Sequence, residues 1–199
     1  MGEKIINIQT EDHVLIDEVK NGSRSAFNIL VQKYQKRVYW VIRKMVLDHD
    51  DANDITQEVF IKIYQSIRDF RGDSQFFTYL YRIAVNLSIN HINKIKRMNN
   101  GRVDIDTEAF RIADEDSRPG EGYDNKLNEK ILEEAIFRLP DKQRAVFNLR
   151  YYDQLSYDEI SQIMETSIGG LKANYFHAVK KIQEYFKSKK IFDSISENT

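Results

Sequence analysis

Apolar residues recur every three or four positions along most of the chain, which is the spacing of one face of an α-helix. Ile55, Val59, Ile63 and Ile67 recur every four positions. Two further stripes with helical spacing run over residues 26–45 and 80–95. Because no run alternates between apolar and polar residues as a half-buried strand would, the pattern predicts an all-α fold.

Residues that break helices divide this pattern into two domains. Gly101, Pro119, Gly120 and Gly122 fall within residues 98–127, where no helical stripe persists apart from a short predicted turn at residues 108–112. We therefore predict a first domain over residues 1–97, a linker over residues 98–127 and a second domain over residues 128–199. Pro140 is predicted in the first turn of a helix of the second domain, where its missing N–H has no helical partner to lose.

The charges follow the same division. Residues 1–97 carry 15 basic and 12 acidic side chains, residues 98–127 carry 4 and 8, and residues 128–199 carry 11 of each. The whole chain of 199 residues has a formal net charge of −1, which excludes a uniformly basic protein. A nucleic-acid-binding function therefore requires positive charge segregated onto particular surfaces.

Composition excludes several classes of protein. The chain is 41% hydrophobic and 31% charged and contains no cysteine, so it can bury a core but cannot use disulfides, thiol catalysis or Cys-ligated zinc. We find no metal-binding or cofactor-binding motif, no catalytic motif, and no apolar run close to the roughly 20 residues of a membrane span. The sequence predicts a non-enzymatic protein without cofactor, located in the cytoplasm.

A helix–turn–helix is predicted over residues 155–187. Ser156 and Glu159 form an S-x-x-E capping box that begins a short helix, and Ser167 caps a second helix over about residues 168–186. The apolar residues spaced to pack the two helices together are Ile160, Ile163, Ile168, Leu171 and Tyr175. Six lysines but only one acidic residue, Glu184, occur from residue 172 to residue 190. Such a helix suits the major groove of DNA, although a helical hairpin with a solvated basic face has the same pattern.

A second cluster combines aromatic and basic residues. Phe70, Phe76, Phe77, Tyr79 and Tyr81 lie within twelve residues, and residues 74–97 contain no acidic side chain. Exposed aromatic rings beside cations can stack on unpaired bases. Taken singly, each ring is better explained as part of the core. Residues 71–74 are predicted to form a loop that ends in a helix cap at Ser74.

A third feature is an acidic face. Asp54, Gln57, Glu58 and Ile61 stand at helical spacing on a different face from Ile55 and its stripe. A solvated helix start explains the acidic residues, and a docking face for a basic partner is the alternative.

These features occur in the order found in a known family. Residues 51–60 (DANDITQEVF), 70–74 (FRGDS) and 78–86 (TYLYRIAVN) resemble region two of a bacterial RNA polymerase sigma factor. Residues 139–182, with LSYDEI at 155–160 and SIGGLK at 167–172, are similar to region four. Without further folded regions, the chain resembles the extracytoplasmic-function (ECF) group. The pattern of residues 169–182 resembles sigma factors of the Bacteroidota.

The resemblance implies a function and a set of roles. The chain would bind the β′ clamp helices and the β flap of core RNA polymerase, recognise a two-part promoter and nucleate melting, under the control of an anti-sigma factor. The residues implied to bind core polymerase are Asp51, Asp54, Gln57 and Glu58. Those implied to bind and melt the minus-ten element are Arg71, Ser74, Phe76, Tyr79, Arg82, Asn86, Asn90, Lys94, Lys96 and Arg97. Those implied to bind the minus-thirty-five element are Ser167, Lys172, Asn174, His177, Lys180 and Lys181.

Two other functions fit parts of the pattern. A one-component helix–turn–helix regulator would bind duplex DNA without polymerase, and a helical adaptor would bind neither DNA nor polymerase.

The chain departs from the family at one position of the aromatic cluster. Many sigma factors have Trp at the position of Tyr79, but a tyrosine ring can also stack on a base.

Overall fold

The computed structural model describes residues 6–46, 48–98 and 123–196, with side chains described for residues 128–189 of the last range. Within these ranges every regular element is helical, which confirms the predicted fold class. The α-helices are α1 (Asp12–Lys20), α2 (Arg24–Arg43), α3 (His49–Ser66), α4 (Phe76–Met98), α5 (Tyr123–Phe137), α6 (Asp141–Tyr151), α7 (Tyr157–Met164) and α8 (Ile168–Ser196). A 3₁₀ turn, Ile67–Asp69, follows α3. Most of the predicted linker, including the turn at residues 108–112, lies outside the described residues, but residues 123–127 belong to α5.

The chain divides into two compact units, and residues up to His91 belong to the first. In this unit α2 packs against α1 and α3. The predicted stripe of Ile55, Val59, Ile63 and Ile67 is buried, since none of these four side chains is more than 4% exposed. Truncating such a side chain to alanine typically costs about 2–5 kcal/mol.

Side-chain caps set where these helices begin. The Ser23 hydroxyl accepts a hydrogen bond from the Ala26 amide at 3.2 Å at the start of α2. The Asp48 carboxylate accepts one from the Asp51 amide at 2.9 Å at the start of α3. Both caps satisfy amides that have no partner within the helix.

A polar link joins α1 to α2. The Tyr34 hydroxyl donates a hydrogen bond to the Asp12 carboxylate, and Lys33 Nζ lies 2.6 Å from Asp12 Oδ1. Burial, and then the bond to Asp12, raise the pKa of Tyr34 well above its usual value. Tyr34 therefore remains a neutral donor at physiological pH and ties the first helix to the second.

The second unit has its own core. The residues that α5, α6 and α8 bury together are Ala135, Ile136, Leu139, Phe147, Ala178 and Ile182. Arg144 of α6 is also buried, with its guanidinium donating to the Phe137 carbonyl at 2.6 Å. Burial lowers the pKa of Arg144 to about 10, opposed by the nearby Asp141. Pro140 occupies the N-cap position of α6, one residue before the predicted first turn.

Candidate nucleic-acid interface and docking face

The exposed side of α3 carries the predicted acidic face. Asp54, Gln57 and Glu58 are exposed, and Ile61 is 56% exposed on the same side. We call these four residues the α3 face. Because the buried isoleucines lie on the opposite side of the helix, the α3 face contributes little to the core and is available to a partner.

Asp51 differs from the other three polar residues predicted to dock. Its Oδ2 lies 2.9 Å from Nε2 of His91 on α4, and its side chain is 36% exposed. Asp51 thus faces α4 as well as solvent, whereas Asp54 and Glu58 face solvent.

Sequence reasoning missed an aromatic residue beside the α3 face. Tyr64 is 49% exposed, and its ring packs edge-on against Phe27 of α2 with the centroids 4.8 Å apart. The sequence does contain a sign that Tyr64 is exposed. It follows Ile61 by three residues and is out of phase with the buried stripe of Ile55, Val59, Ile63 and Ile67. The exposed surface of α3 is therefore acidic at its start and apolar toward its end.

The aromatic cluster divides into core and accessible rings. Phe76 is 4% exposed and packs edge-on against Tyr34 at 5.6 Å and Phe70 at 5.9 Å. Tyr81 is 5% exposed. The assignment of Phe76 to melting is therefore wrong, because a ring buried on both sides offers no face to a base.

Tyr79 is half-buried, as are the neighbouring rings of Phe70 and Phe77. Its ring lies 5.1 Å from that of Phe70, tilted by 32°, and its hydroxyl lies 2.7 Å from the Ser66 hydroxyl. Residues 70–75, which we call the 70–75 loop, lead into the helix that carries Tyr79. The ring thus rests on Phe70 and is held at its far end by α3.

The 70–75 loop is exposed at its centre. Arg71, Gly72 and Asp73 are exposed, and Gly72 has a φ of +80°, a conformation that glycine adopts without the strain of a side chain. Ser74 is half-buried. The helix begins at Phe76, so the N-cap position belongs to Gln75, whose carbonyl accepts from the Tyr79 amide at 3.2 Å, and not to Ser74 as predicted.

The outer side of α4 carries a band of amides and cations. Asn86, Asn90 and Lys94 are exposed and follow one another every four residues, with Arg97 exposed beyond them. Arg82 precedes this band by one turn and is half-buried, as is Lys96. The absence of acidic residues from α4 leaves the band positive, which suits a phosphate backbone.

The helix–turn–helix is confirmed. Ser156 Oγ accepts from the Glu159 amide, and the Glu159 carboxylate accepts from the Ser156 amide at 2.7 Å, which completes the predicted capping box. Residues 165–167 separate α7 from α8. Glu165 adopts a left-handed conformation with φ of +50°, which is uncommon for a residue other than glycine.

The contacts between α7 and α8 differ from the prediction at two residues, Ile168 and Tyr175. Ile160, Ile163 and Leu171 are fully buried, but Ile168 is 37% exposed. Tyr175 packs instead against the core of the second unit. The second helix also extends to Ser196, ten residues beyond its predicted end.

The exposed side of α8 carries most of the residues predicted to bind DNA. Lys172, His177, Lys180 and Lys181 are exposed, and Ser167 Oγ accepts from the Gly170 amide at 3.3 Å as the predicted cap. These side chains form a basic surface on the outside of α8.

Asn174 is arranged differently. It is half-buried, and its Nδ2 donates to the Gly170 carbonyl of its own helix at 2.9 Å. Contact with a base edge would require this bond to be released.

Phe176 was missed by sequence reasoning. It is 65% exposed on α8, and its ring centroid lies 5.6 Å from that of His177. The sequence signal that could have found it is its helical phase, since it follows the half-buried Tyr175 and precedes the buried Ala178 by two positions. A phenylalanine on this surface can contact a thymine methyl group.

The described residues provide neither a metal site nor a membrane-spanning helix. Among the residues that the structure describes, no three His, Asp or Glu side chains are grouped so that they could hold a metal ion. No helix in the described ranges is long and apolar enough to cross a membrane.

Comparisons with known proteins match both units of the chain. Residues 30–98 match the family model of sigma-70 region 2, and residues 129–182 match that of sigma-70 region 4. The RNA polymerase sigma-H factor of Pseudomonas aeruginosa is 33% identical, covering 88% of this chain and 94% of that protein. The ECF RNA polymerase sigma-E factor of Escherichia coli K12 is 37% identical, covering 87% and 93% respectively.

Solved structures share the fold. CnrH, in complex with the cytosolic domain of CnrY, superposes with a TM-score of 0.64 at 18% identity, covering 89% of this chain and 97% of that one. The sigma factor RpoE of Bartonella quintana, in complex with the anti-sigma factor NepR, gives 0.61 at 19% identity, covering 81% and 96%.

Proposed function

Because the chain belongs to the sigma-70 family, as an ECF-type factor that directs promoter-specific transcription initiation, we propose that three of its surfaces divide that work. The α3 face docks on core polymerase. The 70–75 loop, Tyr79 and the outer band of α4 bind and melt the minus-ten element. The outer surface of α8 binds the minus-thirty-five element. The observation that supports this division best is the sign of the charges, since the α3 face is acidic whereas α4 and α8 present cations.

Docking through the α3 face follows from its exposure and composition. Glu58 is 52% exposed and forms only a loose pair with Lys62 at 3.5 Å, so it can turn to a basic partner. Ile61 and Tyr64 add apolar area that remains exposed in the free chain. An exposed apolar patch bordered on one side by carboxylates matches the common anatomy of a protein interface, in which polar residues lie beside an apolar core. The β′ clamp helices are the proposed partner of this face, and the β flap that of the second domain.

Melting is assigned to Tyr79 with the amides of α4. Flipping a base out of a duplex costs a few kcal/mol, and stacking on an aromatic ring returns about 1–3 kcal/mol. Tyr79 has a supporting ring behind it and a partly exposed face. Asn86 and Asn90 can hydrogen-bond base edges, while Lys94 and Arg97 hold the backbone.

Duplex recognition is assigned to α8. Lys172, Lys180 and Lys181 would contact phosphates, and Ser167, Asn174 and His177 base edges, with Phe176 against a thymine methyl. Of these, Lys180 is 4.0 Å from Glu184 and must leave a weak, exposed pair to reach DNA.

The remaining proposals concern the cellular setting. We place the protein in the cytoplasm, where core polymerase acts, without catalytic activity or cofactor of its own. An anti-sigma factor, as bound in the Bartonella quintana structure, is the proposed regulator. A Bacteroidota origin is proposed on the pattern of residues 169–182.

The division of labour is tested by selecting promoters from a randomised library with holoenzyme. We expect His177→Ala to change base preference in the upstream element only, and Asn90→Ala in the downstream element only. If either variant altered both elements equally, the proposed assignment of the two surfaces would be wrong.

A further inference from the structure

Lys20 connects the first helix to the loop that precedes Tyr79. Its Nζ donates a hydrogen bond to the Phe70 carbonyl at 2.7 Å, across fifty residues of sequence. We propose that Lys20 is a positioning residue for promoter melting, which acts by fixing the entry of the 70–75 loop. The proposal rests on the melting role given above to Tyr79 and its loop.

The bond lies where the backbone changes direction. The Phe70 amide still bonds to the Ile67 carbonyl at 3.2 Å and closes the 3₁₀ turn, but Phe70 itself is extended, with φ of −65° and ψ of 113°. Its carbonyl is at a helix end, where carbonyls have no helical donor. Lys20 supplies that donor with a full positive charge, and such bonds are stronger than neutral ones.

Lys20 is well placed to act as an anchor. It is the last residue of α1, and it is half-buried. The rest of α1 is fixed to α2 through the buried apolar residues Leu15, Ile16 and Val19 and through Asp12. The ammonium group therefore extends from a packed helix, and α1 also packs against the 3₁₀ turn.

The effect reaches Tyr79 through Phe70. The Phe70 ring lies 5.1 Å from the Tyr79 ring and 5.9 Å from the buried Phe76 ring. A fixed Phe70 backbone holds its ring against Phe76, and that ring in turn supports Tyr79. Beyond Phe70 the loop has Gly72 and exposed neighbours, which impose little order.

Loss of the bond would allow the loop to occupy more conformations before DNA binds. The ordering would then be completed during melting, at the expense of the free energy gained from stacking. A loop that is already fixed before DNA binds does not lose free energy in this way. The expected defect is confined to opening, because Lys20 lies on neither the α3 face nor α8.

The experiment compares Lys20→Met and Lys20→Arg with wild type, each as the full chain bound to core polymerase. The matched control is Arg43→Met, since Arg43 Nη1 also donates to a backbone carbonyl, that of Val46 at 3.2 Å, in a bond that involves neither α1 nor the 70–75 loop. Open complexes are measured by permanganate reactivity of unpaired thymines on duplex promoters and on promoters with a pre-melted minus-ten bubble. The salt dependence of promoter binding is measured in parallel.

We expect Lys20→Met to form about tenfold fewer open complexes on duplex DNA, the scale of one hydrogen bond to a charged group. On the promoter with a pre-melted bubble, Lys20→Met should form nearly as many open complexes as wild type, because the bases there are already unstacked. Lys20→Arg should behave nearly as wild type, since guanidinium can also donate to the carbonyl. Arg43→Met should open duplex promoters normally.

Three results would overturn the proposal. If Lys20→Met formed open complexes on duplex promoters as well as wild type, Lys20 would have no positioning role. An equal defect on duplex and bubble would indicate general loss of folded protein. A salt slope lowered by about one would make Lys20 a phosphate contact and not a positioning residue. Tyr79→Ala, measured alongside, separates the two claims, because normal opening by that variant would refute the role of the loop itself.

Discussion

Reversing the charge of Glu58 tests the docking face most sharply. Glu58 is 52% exposed and 3.5 Å from Lys62 one turn later. An exposed pair of this kind contributes about 0.3–0.5 kcal/mol to stability, and a like-charge pair at the same spacing costs a similar amount. Glu58→Lys should therefore destabilise the chain by less than about 1 kcal/mol and leave its circular dichroism unchanged.

The effect on docking should be much larger. Placing like charges opposite each other in an interface costs several kcal/mol, and each 1.4 kcal/mol is a factor of ten in Kd. We expect Glu58→Lys to weaken binding to core polymerase by at least about 100-fold, measured by titrating labelled protein with core enzyme without DNA. Wild-type affinity should fall with added salt, since salt screens exposed charges.

Glu184→Lys is the matched control for this prediction. Glu184 is 63% exposed and lies 4.0 Å from Lys180, four residues before it. Glu184→Lys therefore changes the net charge by the same amount as Glu58→Lys and likewise replaces an exposed Glu–Lys pair with two lysines. It should bind core polymerase as wild type. Binding of Glu58→Lys within twofold of wild type, or an equal loss in both variants, would refute docking through the α3 face.

Three further predictions concern DNA. Tyr79→Ala and Asn86→Ala should assemble with core polymerase but open promoters poorly, and a pre-melted bubble should rescue Tyr79→Ala more than Asn86→Ala in permanganate footprints. Normal opening of duplex DNA by Tyr79→Ala would identify Tyr79 as a core ring. Lys172→Ala and Lys181→Ala should weaken binding on all promoters and lower the salt slope by about one each, and a change of base preference in either would contradict phosphate contact. Phe176→Ala should abolish the discrimination between thymine and uracil in the upstream element, and discrimination that survived the substitution would exclude Phe176 as the methyl contact.

Features that depend on neighbouring residues could be predicted from the sequence. The capping box of Ser156 and Glu159, the cap at Ser167 and the buried stripe of α3 all follow from spacings of three or four residues. The acidic face was predicted for the same reason, since the phase of Ile55 and Val59 determines which side of α3 is exposed. Local chemistry was sufficient in each case.

Features set by tertiary contacts could not be predicted in this way. Phe76 and Tyr79 are three residues apart on one helix, and only the packing of Phe76 against Tyr34 separates a core ring from an accessible one. Asn174 has the composition of a base-contacting residue, but its bond to Gly170 is visible only in the structure. The contact of Lys20 with Phe70 joins residues fifty positions apart, beyond any periodic pattern.

The role in initiation is best tested by transcription with core polymerase and the purified chain on a library of randomised promoters. We expect transcription to depend on both components and to select promoters with two separated conserved elements. We also expect the chain alone to select no duplex site. Specific duplex binding by the free chain, with no promoter-dependent transcription when core polymerase is added, would instead indicate a one-component regulator.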